Sequence, residues 1–513
     1  MSQMDSAVID ARTIATPVSG VTVDVDARVS EASKQLDSSF VRGIAWTGSI
    51  KWIVQLVAWG TTILVARILT PADYGLMTMG MVLLAFITIL SESGIGMTVV
   101  TVRDISEEQT AQINGAALLF GLVSFAIACA AAVPMGWFYK NPALPPVIAT
   151  LSLTLIITAA RVVPGALLQK DLRFQRLAII DASQALTTSF VTIALAVLGF
   201  RYWSLALGGV LGAIVGSVAT VVSRPYRVRM PKWSSLRSVM PFTRNVVLGR
   251  LFWYAYQNSD FIVAGKRLGA VALGAYSYAW TLASMPVDKI SALLSSVTPP
   301  IFAAVQTDKA ALKRYFLTVT EGLSVVTFPL TVGIALVASD LVPVVFGTKW
   351  MFMIAPLQIL AIYATIRTIT PTASQVLVVT GDTGYLMYMA GLAAVALPTG
   401  FVIGSRWGTI GIAIAWTIAH PIAVALPLNA RLFWRLKLGV REYVRALWPA
   451  VSGCVLMAVV VNAVRFISPT EVPPAGRLAV EIVAGAIAYA AYLLLAHKPR
   501  VRAFIGLWRQ RGG

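Results

Sequence analysis

The chain has 513 residues, of which 58% are hydrophobic and 12% charged, and its 41 lysines and arginines outweigh 22 aspartates and glutamates for a net charge of +19. A soluble domain carries roughly 25% charged residues, so this composition, with a mean hydropathy of +0.78, excludes one and points to a chain solvated mainly by lipid. Two cysteines and two histidines exclude a disulfide framework and a zinc or haem site.

Residues 1 to 43 are rich in Ser, Val, Asp and Thr with mixed charge and no apolar h-region. They predict a disordered cytoplasmic tail, neither a signal peptide nor a span. Beyond them the apolar blocks predict about fourteen spans, near 44 to 66, 74 to 98, 111 to 135, 146 to 169, 177 to 199, 202 to 222, 242 to 264, 272 to 303, 315 to 339, 350 to 380, 384 to 404, 408 to 430, 447 to 467 and 478 to 497. The windows 109 to 139, 202 to 223, 383 to 405, 407 to 430 and 446 to 464 contain no Asp, Glu, Lys or Arg, and each approaches or exceeds the ~20 residues that cross a bilayer core as a helix. Runs this long exclude the alternating pattern of a barrel, so the predicted fold class is an all-α polytopic membrane protein.

A phrase recurs along the chain. LVARILTPADYGLM at 64 to 77 is echoed by IVAGKRLGAVALGAY at 262 to 276, with Arg67 and Lys266, Leu69 and Leu268, and Gly75 and Gly274 all 199 residues apart. Arg161 stands before Pro164 and Arg367 before Pro371, at offsets of 206 and 207, and each proline is placed to break its helix. The spacing predicts a duplicated half. An even number of spans per half makes the repeat parallel, about an axis along the membrane normal. The expected domains are an N-terminal six-helix bundle over 44 to 240, a C-terminal six-helix bundle over 241 to 445, an extra helix pair over 446 to 497 and a basic cytoplasmic tail over 498 to 513.

This topology puts 26 of the 41 basic residues on the side holding both termini, 8 on the other and 7 inside spans. The positive-inside rule then places both termini in the cytoplasm. The basic stretches SRPYRVRMPKW, RLFWRLKLGVREYVR and HKPRVRAFIGLWRQR flank spans, where anionic lipid headgroups attract them; no nucleic-acid partner is expected. The chain has no P-loop, no GxSxG and no GxGxxG opening a soluble nucleotide domain. Outward loops such as WFYKNPALPP near 136 to 145 are short and poor in acid and base. An enzyme is therefore not expected, nor a cofactor or metal.

What remains are ionisable residues within spans, and the candidates among them are Lys51, Glu92, Arg161, Asp181, Arg244, Arg250, Asp260, Asp288, Lys289, Arg367 and Arg465. A charge at the bilayer centre costs roughly 2.5 to 3.5 kcal/mol or more, so such residues face a cavity or a partner. Basic residues outnumber acidic ones among them, which suits an anionic substrate, and guanidinium groups bind phosphate bidentately. Arg161 and Arg367, at matching places in the two halves, and Lys51 and Arg250, at matching early positions, are the candidate ligands of a diphosphate. The competing reading has the arginines snorkelling or paired with a neighbouring helix's acid. Asp260 in YQNSDFIVAG is placed to pair with Arg250 or to take up a proton; Glu92, Asp288 and Lys289 are candidates for ion coupling or cavity pairing. Arg244 reads as an interfacial anchor and Arg465 as a snorkelling residue. Trp253, Tyr254 and Tyr256 are placed to stack on sugar rings, though their spacing spans more than one helix face.

ARILTPADYGLMTM at 66 to 79 followed by SESGIGMTVV at 91 to 100, NSDFIVAGKRLGAVALGAYSYAW at 258 to 280, Pro286, and FGTKW at 346 to 350 resemble the signature phrases of Wzx-type polysaccharide flippases. That family belongs to the multidrug, oligosaccharidyl-lipid and polysaccharide exporter superfamily. The resemblance covers roughly residues 40 to 430; Ala72 and Tyr74 stand where the family commonly has Glu and Phe. It implies a V-shaped pair of six-helix bundles around a central cavity, moving prenyl-diphosphate-linked oligosaccharide between leaflets of the bacterial inner membrane. The expected partners are the lipid-linked oligosaccharide, membrane lipids, and a polysaccharide polymerase with chain-length or export proteins. Two alternatives stay open: a cation-coupled drug exporter of the same superfamily, and a membrane polymerase or ligase.

Overall fold

A computed structural model describes residues 50, 52–92, 106–230, 240–295, 297–468 and 473–498. The predicted terminal tails and Lys51 lie outside the described residues, as do the side chains of Glu92, Arg244 and Arg250.

The described chain is helical almost throughout. In order come α1 (Trp52–Ile68), α2 (Pro71–Glu92), α3 (Glu107–Tyr139), α4 (Leu144–Lys170), α5 (Phe174–Val197), α6 (Tyr202–Ser223) and α7 (Met240–Ser295). The short α8 (Thr298–Ala304) leads to α9 (Lys309–Val345), a 3-10 turn over Thr348–Met353, α10 (Ile354–Arg367), α11 (Thr370–Val379) and α12 (Thr383–Gly404). α13 (Gly408–His420) runs through a π turn at Pro421–Ala425 into α14 (Leu426–Leu436), and α15 (Val440–Ile467) and α16 (Pro474–Ala496) close the chain. Among the described residues, ten stretches are long and apolar enough to cross a membrane. Large apolar side chains well inside helices, such as Phe190 at 75% exposure and Ile487 at 63%, are stable only against lipid.

Local chemistry explains the helix starts. Ser106 caps α3 in a box with Gln109, and the Asp308 side chain accepts from the amides of Ala310 and Ala311 at the start of α9. In the phrase T-P-A-D, Thr70 precedes Pro71 at the first helical position and Asp73 folds back, accepting from the Thr70 amide at 2.9 Å and its hydroxyl at 2.6 Å. That is a capping box. At the equivalent place in the second copy, Gly269 turns the chain instead, with φ 82° and ψ −179°, a conformation open to glycine.

Several predicted spans change their ends. The spans at 242 to 264 and 272 to 303 are two helices that meet at Gly269, whose backbone is not helical; they are labelled together as α7, and the second arm stops at Ser295, before the separate α8. The span at 74 to 98 ends as a helix at Glu92. Pro164 does not break α4, which continues to Lys170, at the loss of one backbone hydrogen bond. Arg367, by contrast, ends α10 and α11 restarts with Pro371 in its first turn.

α2 packs chiefly on α7, α3 on α4, α5 on α6, and α15 on α16 and α9. The α2–α7 contact is the closest. A Cβ on Gly75 would strike the Ala270 carbonyl, and one on Gly274 the Pro71 carbonyl. Thr78 donates to the Ser277 hydroxyl at 3.1 Å, 199 residues away. Because the contacts 75/274 and 78/277 advance together, the two helices run in the same direction. The main core spreads from this seam and contains fully buried Tyr276, Trp350, Tyr363 and Trp416.

Candidate functional site

Arg161 on α4 reaches α5, where its guanidinium donates to the Gln184 side-chain oxygen and, at 3.3 Å, to Asp181. It lines a cavity of about 550 Å3 whose walls come from α1, α4, α5 and the starts of α2 and α6. On α5, Asp181, Gln184, Thr188, Ser189 and Thr192 line the cavity together because spacings of three and four fall on one helix face. α6 supports this wall through Gly208, Gly212 and Gly216: a Cβ at these positions would strike Thr192, Thr188 and Gln184 respectively. Small residues at four-residue spacing let helices approach closely in lipid. The result is a hydroxyl- and amide-rich surface with one guanidinium, which can hydrogen-bond sugar hydroxyls and a phosphate.

Asp181 is 60% exposed while Arg161 is 27% exposed. Such an exposed pairing is worth about 0 to 1 kcal/mol, so an incoming phosphate oxygen can displace the carboxylate. Arg367 has the same asymmetry: it pairs with Asp288 at 2.8 Å, with exposures of 16% and 64%, and its guanidinium lies over the Trp280 ring, 5.4 Å from its centroid. Both predicted arginines therefore hold an acid on a neighbouring helix. Only Arg161 is among the residues lining the 550 Å3 cavity. The acids come from non-equivalent elements, α5 in one case and the second arm of α7 in the other, so the repeat does not extend to the partners.

Asp260 is fully buried. One carboxylate oxygen accepts from the Tyr276 hydroxyl and the Trp416 indole N–H, both at 2.9 Å. The expected partner, the Arg250 side chain, lies outside the described residues. Around it Trp280, Tyr363, Trp416 and His420 form a ring cluster with centroid distances of 5.0 to 6.0 Å. Asp260 Oδ1, the Tyr363 hydroxyl and His420 Nδ1 have no hydrogen-bond partner among the described residues. A buried polar atom left unpaired costs about 1 to 3 kcal/mol. No group of three His, Cys, Asp or Glu suited to a metal occurs among the described residues.

The remaining predicted residues separate. Lys289 donates to Gln55 on α1 at 2.8 Å. Tyr254 is buried and donates to the Val82 carbonyl on α2 at 2.8 Å, so it serves the seam; Trp253 is exposed. Arg465 does not snorkel: it donates to Glu481 at 3.0 Å and to Asp340 at 3.1 Å, and Arg477 also pairs with Asp340. Glu481 inside the last predicted span and Asp340 just past another are absent from the sequence candidates, yet they neutralise this group. Gln184, Thr188 and Thr192 carry no charge to mark them. Their signal is a polar stripe at helical spacing in an apolar span. Tyr276, Tyr363 and Trp416 give no sequence signal, since buried aromatics are ordinary in helices.

A family model described as polysaccharide biosynthesis protein matches residues 64–355, more than half of the chain. The chain belongs to this family. Its curated relatives include lipopolysaccharide biosynthesis protein WzxC of Escherichia coli, 25% identical over 80% of this chain and 84% of that protein. Teichuronic acid biosynthesis protein TuaB of Bacillus subtilis is 24% identical over 90% of this chain and 96% of its own. Among solved structures, the lipid II flippase MurJ in an inward closed conformation superposes with a TM-score of 0.71 at 11% identity, covering 89% of this chain and 99% of MurJ; this shows a shared fold. The family member described here is thus a Wzx-like multi-pass transporter of polysaccharide biosynthesis, not an enzyme, and the polymerase and ligase alternative falls.

Proposed function

We propose that this family member is a flippase that carries prenyl-diphosphate-linked oligosaccharide from the cytoplasmic to the outer leaflet of the bacterial inner membrane. The observation that carries the reading is the Arg161 cavity, where one guanidinium with an exposed, displaceable acid meets a wall of hydroxyls and an amide. Arg161 binds the diphosphate and the α5 stripe hydrogen-bonds the sugars. Arg367 takes the phosphates over as the molecule rearranges, with Lys51 and Arg250 as further cationic ligands nearer the start of each half. The prenyl chain stays in lipid.

In this reading the fourteen spans form two parallel six-helix bundles, 44 to 240 and 241 to 445, that rock about a V-shaped cavity, with the pair 446 to 497 added outside. Both termini lie in the cytoplasm. The Asp260, Tyr363 and His420 cluster is the coupling site, where a proton or small cation satisfies the unpaired atoms; Glu92, Asp288 and Lys289 adjust the cavity's charge. A polymerase and chain-length or export proteins consume the product.

The test is mass spectrometry of lipid-linked oligosaccharide in a deletion strain, with an impermeant periplasmic glycosidase reporting sidedness. Accumulated units shielded from the glycosidase are expected. Units that reach the periplasm unpolymerised would overturn the flippase reading, and drug sensitivity with normal polysaccharide would favour a drug exporter. Arg161→Ala and Arg367→Ala are each expected to abolish surface polysaccharide at unchanged protein level.

A further inference from the structure

The repeated phrase early in each half carries a cation near its start, Arg67 in one copy and Lys266 in the other. Neither faces the cavity. The Arg67 Nε donates to the Val345 carbonyl at 2.8 Å and its Nη2 to the Val344 carbonyl, at the C-terminal end of α9. Lys266 Nζ donates to the Phe138 carbonyl, at the C-terminal end of α3, and lies 4.4 Å from the Phe138 ring centroid. The donors are 199 residues apart and the acceptors Phe138 and Val344 are 206 apart, the two offsets of the sequence repeat. Each half thus caps a helix of the other half, at places related by the duplication.

Physical chemistry favours the contact. The last four carbonyls of a helix lack intrahelical partners and carry the negative end of its dipole, so a cation there is held. On one side the exchange is mutual. Lys349 Nζ donates to the Arg67 carbonyl at 2.7 Å and the Trp350 indole to the Ala66 carbonyl at 2.9 Å, so the 3-10 turn after α9 caps the end of α1 in return. Between the two contacts runs the α2–α7 seam of Gly75, Gly274, Thr78 and Ser277. Following the chain up and down, with α7 as two crossings, all these helix ends lie on the face away from the described ends of the chain at Trp52 and Ala496.

We propose that these contacts are a pair of repeat-related latches that hold the extracytoplasmic end of the transporter closed. Resting on the alternating-access reading, the latches break when the halves separate outward. Arg67 and Lys266 are exposed, so water replaces the carbonyls as they part and opening needs no buried charge to be stranded. Static assembly would be served by apolar packing alone; exposed cations on carbonyls at both repeat positions suit a contact that must open and re-form.

The test uses the full chain in cells with Cys129→Ser and a reporter Thr192→Cys in the cavity, labelled from outside by a membrane-impermeant maleimide. Buried Cys454 reports unfolding. Arg67→Ala and Lys266→Ala are each expected to raise reporter labelling about fivefold and the double variant about 25-fold, from the strength of a cation at a helix end, with Cys454 still protected; Arg67→Lys restores protection. A Thr78→Cys, Ser277→Cys disulfide in the double variant is expected to return labelling to the parent level, reversibly with reductant. Unchanged labelling in the double variant overturns the latches, and so does labelling that the disulfide fails to suppress. Because the readout uses no substrate, the latches can fail while the flippase assay succeeds, and the converse.

Discussion

Asp340 receives arginines from two other helices, Arg465 of α15 and Arg477 of α16, and Arg465 also holds fully buried Glu481. Two cations and two anions make a neutral group within the membrane protein, so the outcome of removing one member differs from that at Asp181. Glu481→Gln takes one carboxylate from Arg465, which is about a third exposed and keeps Asp340, and is expected to cost about 1 to 3 kcal/mol, read as a lowered Tm in detergent. Asp181→Asn removes an exposed partner and is expected to change stability by less than about 1 kcal/mol, while freeing Arg161 for substrate. Equal losses of Tm in the two variants would contradict this contrast. Arg161, Arg367 and Asp260 were legible because a charge within an apolar span stands out. Tyr276, Trp416 and Tyr363 were not, since nothing in a sequence marks which buried aromatic meets a carboxylate.

At the scale of elements, glycine decides how near two helices come. Gly75 and Gly274 each lie against the other helix's carbonyl, and backbone cannot swing aside as a side chain can. Gly75→Leu or Gly274→Leu is expected to destabilise by more than the ~1 to 3 kcal/mol of ordinary overpacking and to lose surface polysaccharide, measured by Tm and export. Gly333→Ala, with open space around it, is the matched control and is expected to behave as the parent. The apolar blocks located most helices because lipid demands ~20 apolar residues per crossing. Their ends were less legible: Pro164 stays inside α4 while α10 stops at Arg367 before Pro371, so a proline alone does not say where a helix ends.

For the whole molecule, with α7 as two crossings, the helix order brings the ends of α1, α3 and α9 to the face opposite the described ends of the chain at Trp52 and Ala496. If that face is extracytoplasmic, alkaline phosphatase fused after Lys140 is expected to be active and a fusion after His497 inactive; the reverse pattern would invert the membrane orientation. The sequence alone determined a helical membrane chain, its charge bias, its duplicated phrase and the arginines within its spans, because each of these is set by composition or by periodicity along one segment. Only the tertiary structure decided that Arg67 and Lys266 cap the opposite half, that Arg465 belongs to an ion group, and that Asp260 sits among aromatics. These are contacts between residues 16 to 278 positions apart, and no local pattern encodes which distant helix end or ring a side chain will meet.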